Sequence, residues 1–354
     1  MRWLILGALL SSCFQPASAG AANGDAMPEP GVLGFALTDM RWAVYQSPDG
    51  KAECPQGLNE TGPRPQFDEL YPKAHTTGQA SVTDTQLALE GLQWFPTSVH
   101  DPTTTLRQIS SSTGPGWNLD GRVVPADFTA PNGTQGVDNQ LYRAIGCIEE
   151  FRGPTGIFYN LVNRFIRDFV FNRVLIEIRG VHALSDADSV DVTIYRGLDR
   201  LLVDGTGQAI TPGGSQRVDL RWGRRYIQHL HGRIEHGVLL TEPADITLPH
   251  SIYESTPGEE YVRGGQFRLR ISRTGAEGLL VGYADIRRWY DHIMQSWYGQ
   301  FSYPLLWATL QQRADGYPDP ATSTKTAISE VLEVKFTQVF ILDTPSNSIA
   351  GATR

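Results

Sequence analysis

The sequence predicts a mainly β fold, an antiparallel β-sandwich of jelly-roll-like build with inserted α-helices and a loop-rich N-terminal region. Three observations predict it. Runs such as Val190, Val192 and Ile194 against Asp191, Thr193 and Tyr195 alternate with the period of a strand buried on one side. Turn chemistry of hairpin length separates such runs, at Asp204 to Gly207 and again at Pro212 to Gly214. Strand-helix-strand alternation does not persist, which disfavours a doubly wound parallel sheet.

At the N-terminus, Arg2 precedes an apolar run from Trp3 to Leu10, and Ala17, Ser18 and Ala19 form a small-x-small cleavage signature. Residues 1–19 therefore read as a signal peptide, and the expected location is the periplasm or the extracellular medium. Leu10, Ser11, Ser12 and Cys13 also resemble a lipobox, with Cys13 as an acylated N-terminus. The apolar run is too short to span a bilayer, and no later segment offers the roughly 18 apolar residues a transmembrane helix needs. Residues 20–31, rich in Ala, Gly, Asn and Pro, read as a flexible lead-in.

Order is expected from Val32, and residues 32–155 read as the loop-rich N-terminal region. Within it, residues 81–96 permit either a short helix capped by Ser81 or Thr83 or a strand through Leu87 and Leu89. Two cysteines remain after the leader, Cys54 and Cys147, and an oxidising compartment favours their pairing. The bridge would close a loop of more than ninety residues, for which chain entropy gives about 4 to 5 kcal/mol.

Phe158, Val162, Phe165 and Phe169 recur with helical spacing, which predicts a helix over 155–171 at the head of the segment 156–345. Strands are expected near 174–179, 190–195, 216–222, 225–231, 237–242 and 266–272. The helical period returns with Ile286, Tyr290, Ile293 and Trp297, and a further helix is expected over 303–313. A last strand from Leu332 to Leu342 must rejoin the earlier sheet, and residues 346–354 form a tail.

The formal net charge of −8 argues against a surface that tracks nucleic-acid phosphates. Gly-x-Ser-x-Gly, His-Glu-x-x-His and Gly-x-x-x-x-Gly-Lys motifs do not occur, which removes weight from the enzyme classes that carry them. Glu177 and Asp191 are strand carboxylates that a glycosidase could use, but ordinary exposed acids look the same.

Three groups of residues carry the candidate chemistry. Gly116 to Asn139 concentrates glycines and side-chain oxygens, and a twelve-position calcium loop places Asn118 at position 3, Asp120 at 5, Gly121 at the turn and Asp127 at the closing acid. Arg122 would add a main-chain carbonyl, and Asp138 and Asn139 would supply further oxygens. The same residues also read as Asx turns that need no ion. Next, His229 and His231 share one face of a predicted strand, with His236 beyond a turn. Two such imidazoles could hold a transition metal if His182, Glu177 or Asp245 supplied a third ligand. Finally, aromatic residues crowd the second helical region. Ile286, Tyr290, Ile293 and Trp297 belong to the core stripe, which leaves Trp289, Tyr298 and Tyr303 as candidates for an exposed ligand surface.

The Asn118, Asp120, Gly121 and Asp127 pattern resembles the loops of EF-hand and dockerin-type proteins, and that resemblance implies calcium over about a dozen residues. Asp127-Phe128, Pro131-Asn132-Gly133, Gly136 to Leu141 and Thr241 to Asp245 are similar to a family of exported bacterial proteins, a likeness that implies export and no particular reaction. The leading expectation is an exported, non-enzymatic protein, stabilised by calcium, that binds a glycan or another extracellular ligand. The alternative is a transition-metal-dependent enzyme, a hydrolase or an oxygen-using enzyme, centred on His229 and His231.

Overall fold

The computed structural model describes residues 31–44, 53–54, 87–89, 92–94, 105–154, 156–252, 257–295, 306–342 and 344. The expected signal peptide with Cys13, nearly all of the lead-in, the 346–354 tail, Trp297, Tyr298 and Tyr303 lie outside the described residues.

The β content is as expected, but the sandwich is not. Eight strands form a closed antiparallel barrel in the order β1 (Gly31–Trp42), β4 (Val174–Val181), β5 (Ala187–Arg196), β7 (Gln228–Glu235), β8 (Val238–Thr241), β10 (Glu259–Ile271), β11 (Gly275–Asp285) and β13 (Lys325–Leu342). Closure comes from β1, which pairs with β4 on one side and with β13 on the other. A single-sided apolar period describes a stave of a barrel as well as a strand of a sandwich, and only the pairing of Phe35 with Gln338 through Trp42 with Leu332 distinguishes them. The barrel thus takes its first stave from the region read as a separate N-terminal one. Short strands β2 (Leu87–Leu89) and β3 (Leu92–Trp94) pair with each other, β6 (Gly214–Arg217) and β12 (Gly316–Pro318) pair with β13, and β9 (Ala244–Pro249) pairs with β10.

Inward side chains fill the barrel, as expected for eight staves. Leu33, Phe35, Leu37, Ile176, Ile178, Val192, Ile194, Leu230, Phe267, Leu280 and Leu332 all belong to one buried cluster. Irregular pairing between Leu37 and Asp39 shifts the parity of β1, so that Met40 and Trp42 continue the inner face. β10 does the same between Arg263 and Gln266, which puts Glu260 and Val262 on the inner side along with Phe267 and Leu269.

Helices α1 (Gln140–Ile145), α2 (Ile157–Arg167), α3 (Ile286–Met294) and α4 (Leu306–Arg313) contribute to that same core through residues such as Leu141, Phe158, Val162, Ile166, Ile293 and Leu310. Each fully buried side chain of this size is worth about 1.5 to 3 kcal/mol, so the helices are integral to the fold. Asn163 fixes α2 to β1, since its Oδ1 accepts from Met40 N at 2.9 Å and its Nδ2 donates to Met40 O at 2.9 Å. α3 starts where β11 ends, with Asp285 Oδ1 accepting from the amides of Arg287 and Arg288 at 3.1 Å. The end of β1, the starts of β4, β10 and β13, and the end of β11 lie at one mouth of the barrel, and the connections to α2 and α3 leave from it.

Outside the barrel, Trp117 and Leu119 pack on Ala43, Val281 and Val331, so the Gly116 to Asn139 stretch covers part of the outer wall. The expected disulfide between Cys54 and Cys147 is formed, with the Cα atoms 5.4 Å apart. None of the described helices is long and apolar enough to cross a membrane.

Candidate metal centre at the barrel mouth

Three ionisable side chains meet inside the mouth, and a fourth, Glu330, lies near enough to Glu260 to interact with it electrostatically. His250 follows directly on β9, which ends at Pro249, and its backbone N–H donates to Gly258 O at 2.9 Å. Asn172 holds the next residue, accepting from Ser251 N at 2.6 Å and donating to Ser251 O at 2.9 Å. His292 lies on α3, one helical turn after Trp289 and on the same buried side. Glu260 lies in β10 next to Leu248 of β9, and Glu330 lies on the inner face of β13 between Ile328 and Leu332.

His250 Nδ1 lies 3.1 Å from His292 Nε2 and 3.1 Å from Glu260 Oε2. The second contact is at ion-pair distance but lacks hydrogen-bond alignment, so Glu260 Oε2 has no hydrogen-bond partner. One donor atom from each of these three residues falls within 4.8 Å of the others. Exposure is 1% for His250, 2% for Glu260, 5% for His292 and 0% for Glu330. Among the described residues, neither Glu330 carboxylate oxygen has a hydrogen-bond partner.

The electrostatics follow from that burial. Burial pushes the His292 imidazole well below its ordinary value, and the neighbouring His250 adds to the effect, so the ring is neutral and presents a lone pair. Burial pushes the Glu330 carboxyl well above the usual carboxylate range, and the adjacent Glu260 pushes it further. Aromatic rings wall the group. Trp42 meets the His250 ring edge-on with centroids 5.2 Å apart, and Trp289 packs against Trp42 at 5.8 Å and stacks on Phe151 at 5.7 Å. On the other side, a Cβ at Gly258 would fall 2.3 Å from His292 Cε1, so only glycine admits the ring there.

Chemically, two imidazoles and a carboxylate make a donor set for a divalent transition metal. Neighbouring donors about 2.1 Å from a common cation lie roughly 3 to 3.4 Å apart, and both contacts of His250 Nδ1 meet that condition. Among the described residues, this is the group of three or more His, Cys, Asp or Glu side chains with such convergence.

The residues singled out in the sequence lie elsewhere. In the expected calcium loop, Asn118 Oδ1 accepts from Gly121 N at 2.6 Å, Asp120 Oδ1 from Arg122 N at 2.8 Å and Asp127 Oδ2 from Val124 N at 2.7 Å. Asp138 Oδ2 accepts from Leu119 N at 2.6 Å, Asn139 Oδ1 caps α1 through Tyr142 N at 3.2 Å, and the Arg122 carbonyl accepts from Asn118 Nδ2. These are turn and cap bonds, each oxygen serving a nearby segment.

His229 and His231 do share a face, but it is the outer wall. Cross-strand pairing builds two rows, Glu177–Thr193–His229 and Arg179–Asp191–His231, which line a surface cleft of about 480 Å³. His229 Nδ1 lies 3.2 Å from Thr193 Oγ1, His231 Nδ1 lies 3.0 Å from Asp191 Oδ1, and Glu177 pairs with Arg179. His182 is exposed, and Asp245 accepts from Tyr261 Oη at 2.8 Å and from Gly264 N at 3.0 Å. Among the described residues, the structure therefore gathers no third ligand on the two strand histidines. Trp289 is 3% exposed and belongs to the core, which corrects its reading as part of a ligand surface. Tyr290 and Ile293 are buried as expected.

Sequence reasoning missed His250, Glu260, His292 and Glu330. A signal existed for two of them, because Glu330 occupies the apolar phase of Ile328, Leu332 and Val334, and His292 falls on the buried side of α3. Fold and geometry together define a closed eight-stranded barrel with a buried His–His–Glu group at one mouth. No family model, no curated protein and no solved structure matches this chain.

Proposed function

We propose that this chain is an exported, non-enzymatic metal-binding protein whose ligand is a divalent transition metal held by His250 Nδ1, His292 Nε2 and a Glu260 oxygen. The observation that carries this reading is the convergence of three donor atoms within 4.8 Å on side chains no more than 5% exposed. Polar groups are removed from water only at a cost of a few kcal/mol each unless something compensates them; the two imidazoles share the His250 Nδ1–His292 Nε2 hydrogen bond, and a bound dication would compensate them together with the unpartnered Glu260 Oε2. Export rests on the leader at residues 1–19.

The three ligands come from the end of β9, the start of β10 and the body of α3. A metal there ties the capping helix to the barrel wall, which is the work of a closed structural centre. The test is elemental analysis of the mature protein purified without an affinity tag. About one equivalent of a transition metal is the expected result. Protein that contains none, and whose melting temperature does not respond to added Zn²⁺, Mn²⁺, Fe²⁺ or Co²⁺, would overturn the reading.

A further inference from the structure

We infer that Glu330 is the fourth protein ligand of this centre, which makes it a charge-neutral two-histidine, two-carboxylate site for a borderline divalent ion such as Zn²⁺, Fe²⁺ or Co²⁺. The inference rests on the metal reading above and specifies its donor set.

Three observations carry it. The first is placement: Glu260 and Glu330 lie on the inner faces of β10 and β13, the two neighbours of β11. Between them the inner face of β11 offers only Gly282, opposite Glu330, and Ala284, opposite Val262. The space over Gly282 is taken by β10, with Val262 Cγ1 2.5 Å from where a Cβ would stand. The second is the unmet demand of Glu330, which is 0% exposed with no hydrogen-bond partner on either oxygen. A buried acid confined to a structural role would take an N–H or O–H donor, and among the described residues none serves this one.

The third is charge. A dication with two neutral imidazoles and one carboxylate leaves a net positive charge among Trp42, Phe151 and Trp289, and an isolated buried charge is strongly disfavoured. A second carboxylate cancels it. Imidazole nitrogens disfavour Ca²⁺ and Mg²⁺, and the lack of thiolate or thioether disfavours Cu⁺.

The test uses the full-length mature chain, untagged, stripped of metal and titrated with Co²⁺ and then Zn²⁺. Wild type, Glu330→Gln and His292→Ala are compared by affinity and by the visible Co²⁺ absorption, with melting curves to confirm folding. The expected result is at least a tenfold loss of Co²⁺ and Zn²⁺ affinity in Glu330→Gln, a changed Co²⁺ band, and no binding in His292→Ala. A crystal structure of the Zn²⁺-loaded wild type, with the ion placed by anomalous scattering, serves even if Glu330→Gln does not fold. It should place Glu330 within about 2.2 Å of the ion. Wild-type affinity and an unaltered Co²⁺ spectrum in Glu330→Gln, or an ion beyond bonding distance of Glu330, would overturn the inference while the three-ligand reading stood. Failure of wild type to bind either ion would remove the metal reading and this inference together.

Discussion

His250 Nδ1 and Glu260 Oε2 lie 3.1 Å apart inside the barrel mouth, yet the pair has no hydrogen-bond geometry. Both side chains are buried, and the second histidine nitrogen at His292 is equally close to His250 Nδ1. His250 Nδ1 thus has one hydrogen-bonded neighbour, His292 Nε2, and one unaligned neighbour, Glu260 Oε2, and the three donor atoms stay within 4.8 Å of one another.

Metal removal should lower stability. With free metal a thousandfold above Kd, binding to the folded state adds about 4 kcal/mol. Melting curves of the mature protein with added Zn²⁺ and with chelator should differ by several degrees, and Glu260→Gln should collapse the two curves onto the chelated one. Equal melting temperatures for the wild type in both conditions would contradict this.

Asn172→Ala should loosen the segment that presents His250. Its side-chain amide makes two main-chain bonds to Ser251, at 2.6 and 2.9 Å, and is 0% exposed. Losing both bonds in a buried setting costs about 2 to 4 kcal/mol. Urea denaturation measures that loss, and elemental analysis should show a lower metal content after dialysis.

The double replacement His229→Ala and His231→Ala should leave metal content unchanged. Both rings lie on the outer wall, with the barrel wall between them and the inner face. Surface changes of this kind usually stay within about 0.5 kcal/mol. Loss of bound metal in the double variant would place the centre on the outer wall instead.

Between pH 4 and 6.5 the fold should become less stable as the pH rises, through Asp315 and Asp138. Burial raises the Asp315 carboxyl to about 6 against the bonds from Ser329 that lower it, with Asp138 raising it further. Burial likewise raises Asp138 to about 6. An acid whose folded value lies above its unfolded value of about 3.9 is protonated preferentially in the fold. Its stabilisation is therefore complete below about pH 4 and is lost as the pH climbs through 6. Denaturant titrations across this window should show a shallower decline in Asp315→Asn than in wild type, and parallel profiles would contradict the assignment.

Reduction of Cys54–Cys147 should destabilise the chain. The sequence separation of 93 residues corresponds to at most about 4 to 5 kcal/mol in the chain-entropy model. Guanidinium midpoints with and without reductant measure the difference, and coincident midpoints would contradict it.

Much of the strand and helix content was legible. The runs at 174–179 and 190–195 and the helix at 155–171 correspond to β4, β5 and α2, because each keeps a single period along its length. β1 and the first half of β10 were not legible for the opposite reason. The register shifts at Leu37/Asp39 and Arg263/Gln266 exchange inner and outer positions within one strand, and the alternation that marks a strand breaks at that point.

By itself the sequence determined that the chain is mainly β, that helices follow the later hairpins, and that two cysteines are placed to pair across a long loop. These are local or compositional properties, set by side-chain period and residue count. Barrel closure and the His250, Glu260, His292 and Glu330 group were decided only in three dimensions. β1 meets β13 across almost the whole chain, and the four ionisable residues are spread over eighty positions that no spacing rule connects. A strand's period tells which of its faces is buried, whereas which other strands share that interior depends on pairings between distant segments.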